Sequence, residues 1–355
     1  FAIKFYTQEG NWDLVGNQTP VFFIRDAIKF PDFIHAMKPS PINNVQDANR
    51  VFDFLSSQPW ATNMLTYVYG KQGVPTSYRE QDGFGVHAYK LYNDKGEYKY
   101  VKFNFRSKQG VKGLNVKEAA EQQGKDFNHL TNDLYNNINA GNFPKWDLYI
   151  QVLDPKDLGK FDFNPLDPTK IWPTNLVPET KAGTLTLNRM PKNFFNETEQ
   201  VALAPGNLVP GIEPSEDRLL QGRIFSYSDT QMYRLGANHQ QIPVNRPVVD
   251  VNNNNQDGYM NVSERNSDVN YEPSRKEPKT ATAKARAVQT PLSGYVQQIG
   301  VKEQNFKQAG DLYRSYTAKE KDDLIMNLVA DLGNVKDSET QHIMLSYFYK
   351  ADADY

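Results

Sequence analysis

A chain of 355 residues has room for about two or three structural units, and its formal net charge of -2 gives no electrostatic case for nucleic-acid binding. The absence of cysteine removes disulfides, thiolate metal sites and cysteine nucleophiles together. No apolar stretch approaches the roughly twenty residues of a membrane span. No targeting segment is legible, which favours the cytoplasm, although a first residue of Phe1 rather than Met leaves the periplasm open.

Residues 1–188 read as strands. Trp146, Leu148, Ile150 and Val152 alternate with Asp147, Tyr149 and Gln151, and Val101, Phe103 and Phe105 alternate with Lys102, Asn104 and Arg106. This is the period of half-buried strands, and their regular spacing favours a barrel or sandwich. Asn93 to Gly96 supplies a hairpin turn. Residues 116–140 read as a helical insertion through Ala119, Ala120, Phe127, Leu130, Leu134 and Ile138.

Residues 189–305 are poor in regular structure apart from one helix at 215–236. Within them, 251–290 carries an asparagine run, several prolines and mixed charge, and reads as an exposed wrapping segment. The stretch 306–355 is helical. Thr317 and Glu320 form a capping-box pair ahead of Leu324, Ile325, Leu328, Val329 and Leu332, and Gly333 supplies a stop. Ser338 and Gln341 repeat the signal before Ile343, Met344, Tyr347 and Phe348.

The helix at 215–236 carries the most chemistry. At about 100° per residue, spacings of four and seven bring Arg223, Tyr227 and Arg234 onto one stripe. Free tyrosine titrates near pH 10, so a phenolate at neutral pH requires a metal or a fixed cation beside it. An arginine one turn earlier supplies that cation. Tyrosinate is among the few protein ligands that hold haem iron. The other reading, a half-buried core tyrosine between two surface arginines, stays open on the helix alone. By themselves His87 in GVHAY and Asn17 in GNQTP read as a core histidine and a turn residue, and Phe22 and Phe30 as core.

The segments GNWDLVGNQTPVFFIRD (10–26) and LQGRIFSYSDTQMYRL (220–235) closely resemble the two best-known signatures of the haem catalases of the small-subunit kind. GFGVHAYKLYN, FPKWDLYIQVL, FNPLDPTKIW, PGIEPSEDRLLQGR and ANHQQIPVN also look like catalase segments. The resemblance covers nearly all of residues 1–247 and, more loosely, the last fifty. It implies an α+β fold: an antiparallel β-barrel core over 1–188, incomplete at its N-terminal side, a wrapping segment over 189–305, and an incomplete C-terminal helical domain over 306–355. It implies dismutation of hydrogen peroxide by haem b in a homotetramer, as part of protection against oxidative stress. Tyr227 is then the iron ligand, Arg223 the partner of its phenolate oxygen and Arg234 the partner of a haem propionate. His87 and Asp217 complete a hydrogen-bonded network with Arg223. On the other face Asn17 orients the peroxide, while Phe22 and Phe30 keep the site apolar and narrow.

Four features depart from the family. None of His35, His87, His129, His239 and His342 sits in a segment resembling the family's distal-histidine motif, and Phe1 to Phe5 corresponds to a strand well inside the usual chain. The resemblance therefore implies an N-terminally truncated catalase, with open strand edges. The competing expectation is an inert haem-binding fragment. Val86 and Gln18 stand where the family has serine and asparagine. The positions that bind NADPH in many relatives are Asn63, Gln72, Asn104 and Arg106 here, which lack most of the cations that the extra phosphate needs.

Overall fold

A computed structural model describes residues 1–250, 253–265, 267–271, 273–277 and 303–355. The first element is an antiparallel hairpin of β1 (Ala2–Thr7) and β2 (Gly10–Val15), turning at Gly10 with φ 110°, a conformation that favours glycine. β3 (Gly83–Phe84), β4 (Tyr89–Tyr92), β5 (Tyr98–Ser107), β6 (Lys145–Leu153), β7 (Glu179–Thr186) and β8 (Ile212–Pro214) form a second, antiparallel sheet. Its order is β7-β6-β5-β4-β8, with β3 beside β5. The turn at Asn93 joins β4 to β5, and the Asn93 side chain accepts from the N–H groups of Lys95 and Glu97.

The class is α+β, as the sequence indicates, but among the described residues the strands form a hairpin and an open sheet rather than a closed barrel. The hairpin meets the sheet mainly by packing. Leu14 joins one core with Tyr89, Val101, Phe103, Phe105 and Trp146, and an isolated bridge pairs Asn17 with Phe84. A Cβ on Gly16 would lie 1.7 Å from the Phe84 carbonyl oxygen, so this approach requires glycine.

Burial on β5 and β6 departs from simple alternation. Lys102, Asn104 and Gln151, expected on the solvent face, are buried, whereas Val152 is 45% exposed. The reason is a second cover. Phe161, Phe163, Trp172 and Val177 pack with Ala88, Tyr100 and Leu153 against the far face of the sheet. There the Gln151 amide donates to the carbonyls of Trp172 and Val177, which satisfies a buried polar group at the seam.

Helices interrupt the first 188 residues, where the sequence reads as strands: α1 (Phe30–Met37), α2 (Ala48–Ser56) and α3 (Thr62–Tyr69). The expected insertion is two helices, α4 (Val116–Lys125) and α5 (His129–Asn139), broken where Asp126 takes an extended φ of -151°. α6 (Arg218–Leu235) lies within the long irregular region, and α7 (Lys307–Ser315), α8 (Ala318–Leu332) and α9 (Ser338–Ala351) follow. The Thr317–Glu320 capping box forms. Gly333 ends α8 in the right-handed region (φ -65°), not as a left-handed stop. The next cap is Asp337, one residue before Ser338, with its carboxylate accepting from Thr340 N–H. Helices from both ends of the chain share a core of Phe52, Leu55, Leu65, Leu328, Met344 and Phe348. Of the wrapping stretch expected at 251–290, residues 251–252, 266, 272 and 278–290 lie outside the described residues; 253–265 have no regular structure and are mostly exposed.

α6 docks on the segment that follows β2. Leu219 packs with Ile24 and Phe33, Arg218 pairs with Asp26, and a Cβ on Gly222 would meet the Ala27 Cβ at 2.2 Å. Helix propensity favours alanine over glycine by about 1 kcal/mol, but overpacking costs about 1–3 kcal/mol. Gly222→Ala is therefore expected to lower the thermal midpoint in calorimetry, with the sign opposite to propensity.

Candidate active site

α6 begins at Asp217 because that carboxylate satisfies the first free N–H groups: its Oδ1 accepts from Leu219 (2.9 Å) and Leu220 (3.1 Å). The helix ends at Gly236, whose φ of 110° favours glycine. The other oxygen of Asp217 lies 2.5 Å from His87 Nδ1, and both side chains are about 1% exposed. A carboxylate only accepts, so the imidazole proton sits on Nδ1.

His87 reaches that position through a strained turn. Its N–H donates to the Gly85 carbonyl at 2.7 Å, closing a three-residue γ-turn around Val86, which has φ 65°. A β-branched residue in the left-handed region is an outlier, and this hand of γ-turn is the rare, strained one. Val86 is held there by burial. Burial also pushes the His87 pKa below its ordinary value; Asp217 opposes the shift, and Arg223 and Lys102 add to it. His87 is thus neutral at pH 7.

One and a half turns further along α6, Arg223 Nη2 donates to the Tyr227 phenol oxygen at 3.1 Å and to the Val15 carbonyl at 3.1 Å. The guanidinium carbon lies 5.0 Å from the Tyr227 ring centroid. Arg223 therefore fixes the phenol relative to the end of β2, two residues before Asn17. The Asn17 backbone pairs with Phe84, and its side-chain amide makes no hydrogen bond to the described residues. Phe22 stacks with Phe30 at 6.4 Å and meets Phe33 edge-on at 5.5 Å.

Arg234 lies apart from this group. Its Nε and Nη2 donate to Gln231 Oε1, its Nη1 to the Glu199 carbonyl at 2.8 Å, and its Nη2 to the Val201 carbonyl at 2.6 Å. The structure thus gathers Asp217, His87, Arg223 and Tyr227 into one network around α6 and sets the Asn17–Phe30 segment against the same helix. Arg234 holds the 199–201 loop instead. Sequence reasoning missed the Val15 carbonyl, Gly222 and Tyr89. Tyr89 was within reach, being two residues beyond His87 at the start of β4.

A separate cavity of about 340 Å³ is lined by Gln72, Lys102, Asn104, Arg106, Gln151 and Trp172, among others. Arg106 spans it, paired with Asp82 at 3.0 Å and Glu179 at 2.6 Å. Burial pushes the Lys102 amine down to about 8, against the pull of Asp217 and Asp167.

Comparison with known proteins decides what the network belongs to. Residues 1–278 match the family described as Catalase, and residues 300–355 match the one described as Catalase-related immune-responsive. Catalases of Vibrio vulnificus (strain YJ016) and Pseudomonas aeruginosa are 63% identical over 361 residues and 61% over 356. Each alignment spans 100% of this chain, and 71% and 69% of the relative. The solved structures of a fungal catalase and of catalase A from Saccharomyces cerevisiae match with TM-scores of 0.92 at 36% identity, across 100% of this chain and 73% and 75% of theirs. The chain belongs to the catalase family. It is an oxidoreductase whose reaction is the decomposition of hydrogen peroxide, and haem is the cofactor of its family.

Haem fits the residues present. A phenol oxygen beside an anchored guanidinium has the donor chemistry of a haem-iron ligand, and the Phe22–Phe30–Phe33 cluster offers an apolar wall. Among the described residues no helix is long and apolar enough to cross a membrane.

The buried histidine makes catalase stability depend on pH. Its folded pKa lies below the unfolded value of about 6.5, so the unfolded chain binds the extra proton. The contribution is complete above about pH 6.5 and is lost as pH falls from there through the folded pKa, by at most about 1.4 kcal/mol per pH unit. Thermal midpoints measured from pH 8 to 5 are expected to fall less steeply in His87→Asn than in the native chain.

Proposed function

We propose that the chain decomposes hydrogen peroxide with haem b, Tyr227 being the axial ligand of the iron. The observation that carries this is Arg223 Nη2, which donates to the Tyr227 oxygen and to the Val15 carbonyl at 3.1 Å each. Such a doubly anchored cation favours a phenolate and forbids its rotation away from the site. Bound haem supplies the redox chemistry of peroxide cleavage. The chain's own residues hold and orient. Asp217 and His87 lock the start of the tyrosine helix. Asn17 offers a neutral amide that donates to a peroxide oxygen without competing as a base. Phe22 and Phe30 exclude water. Arg234 meets a propionate by exchanging its Gln231 contact for that carboxylate.

The finer readings follow the same logic. A homotetramer is supported by apolar side chains left uncovered on α6, where Phe225 is 75% and Tyr233 80% exposed. NADPH is disfavoured in the 340 Å³ cavity. Arg106 is already neutralised by Asp82 and Glu179, Lys102 is buried and donates to the Lys170 carbonyl, and Gln72 and Asn104 bring no positive charge.

A second reading, haem binding without turnover, is favoured by the histidines. Moving a proton between peroxide oxygens calls for a base, and His87 is committed to Asp217, His129 to the Thr76 carbonyl and His239 to the Gly236 carbonyl, while His35 and His342 lie exposed on α1 and α9. Oxygen evolution from the haem-loaded chain separates the two.

Two outcomes test the main reading. Tyr227→Phe is expected to weaken haem retention by at least about tenfold, or about 1.4 kcal/mol, in a Soret titration; an unchanged spectrum sinks the assignment. Titration with NADPH is expected to give a dissociation constant no tighter than about 1 mM, and saturable micromolar binding contradicts the charge argument.

A further inference from the structure

The stretch 21–26, which leads from Asn17 toward α1, sends its side chains to two different parts of the molecule. Phe22 and Ile24 pack with Phe33 and Leu219, and Asp26 pairs with Arg218, so these three reach α1 and the tyrosine helix. Val21, Phe23 and Arg25 reach the C-terminal helices. Val21 packs with Met64 and Tyr67 beside Leu312 of α7, and Phe23 packs against the core that contains Leu328 and Met344. Arg25 Nη2 donates to Glu303 Oε1 at 2.7 Å, ahead of α7.

Arg25 is held from three sides. Its guanidinium carbon lies 4.4 Å from the Trp60 ring centroid, and its Nη1 lies 3.8 Å from Asp167 Oδ2. The hydrogen bond from Arg25 holds the Glu303 carboxyl below the usual carboxylate range, so the pair is charged at neutral pH. A second tie runs in parallel. The Phe22 N–H donates to the Pro168 carbonyl at 2.9 Å, and three residues on, the Ile171 backbone exchanges two hydrogen bonds with Gln308 of α7, at 2.9 and 3.1 Å. An ion pair whose side chains are 21% and 43% exposed adds little stability. What a planar guanidinium seated on an indole and bonded to a carboxylate supplies instead is position.

Resting on Asn17 and Phe22 as the peroxide side of the site, we propose that Arg25 is a positioning residue for peroxide selection, through which Glu303 of the C-terminal helical unit fixes the Phe22 wall. Residues 303–355 thereby have a role beyond packing: they brace from behind the stretch that carries Phe22. A small displacement of such a wall changes which peroxides fit and how they are oriented.

The test is Glu303→Gln in the haem-loaded chain, which removes the charge at an exposed position and keeps the length of the side chain. Hydrogen exchange in 20–26 is expected to accelerate by at least about threefold, while 218–235 keeps its native rate. The ratio of the rates at which hydrogen peroxide and tert-butyl hydroperoxide alter the Soret band is expected to fall by at least about threefold, because a looser wall admits the bulkier peroxide. Arg25→Gln is expected to move both readouts further, and Arg25→Lys, which keeps the charge, to lie between Arg25→Gln and the native chain. Unchanged exchange or an unchanged ratio in Glu303→Gln overturns the proposal, since a pair that only adds stability moves neither selectively. Should Arg25→Gln fail to fold, Glu303→Gln decides alone. Phe22→Ala is measured in parallel: an unchanged ratio there defeats the peroxide-wall reading itself, whereas a changed ratio beside an unshifted Glu303→Gln defeats only the bracing role.

Discussion

The Asp217 carboxylate is the group on which the site depends. One oxygen accepts the first N–H groups of α6 and the other holds His87, a residue 130 positions earlier in the chain. Negative charge is favoured at a helix N-terminus, and a buried carboxylate is tolerable only with all its acceptor capacity in use. The two roles therefore support each other. Helix start, sheet and histidine are set by one side chain, and every residue further along α6 inherits its position from that point.

Arg223 carries the constraint outward. By donating to Val15 as well as to Tyr227, it ties the phenol to the hairpin that leads into Asn17. Close backbone approach makes this geometry accessible. Gly16 lets the hairpin end lie against Phe84, and Gly222 lets α6 lie against Ala27. Both contacts exclude any side chain, and the second, reinforced by the Arg218–Asp26 pair, brings the tyrosine helix against the Asn17–Phe30 segment. The strained γ-turn at Val86 fits the same account: the network that receives His87 compensates for an unfavourable backbone.

Much of this was legible from residue order. The tyrosine helix, its arginine four residues earlier, the hairpin at Asn93 and the capping box at Thr317 are local patterns, determined by spacings of two, three and four. Reading failed where distant chain intervenes. Lys102, Asn104 and Gln151 alternate as solvent-facing residues should, yet a second layer built from Phe161, Phe163 and Trp172 buries them. The carbonyls of Glu199 and Val201 that Arg234 meets lie more than thirty residues earlier in the chain, beyond the reach of any local period. Helices α1 to α3 were read as strands because their apolar residues also suit short strands; α2 and α3 are buried by α8 and α9 at the other end of the chain, and α1 by Leu219 of α6.

Sequence by itself determined the family chemistry: which residue offers a phenol, which offers a fixed cation one turn away, and where the helix carrying both begins. These follow from covalent spacing and helical period, which need no knowledge of the rest of the chain. Tertiary structure alone decided the atoms through which those groups meet. It gave Arg223 a second acceptor in the Val15 carbonyl, split the two oxygens of Asp217 between His87 and the helix start, and left the Tyr89 hydroxyl buried without a partner among the described residues. Hydrogen-bond direction and burial depend on surfaces brought together across more than a hundred residues, and no local period encodes them.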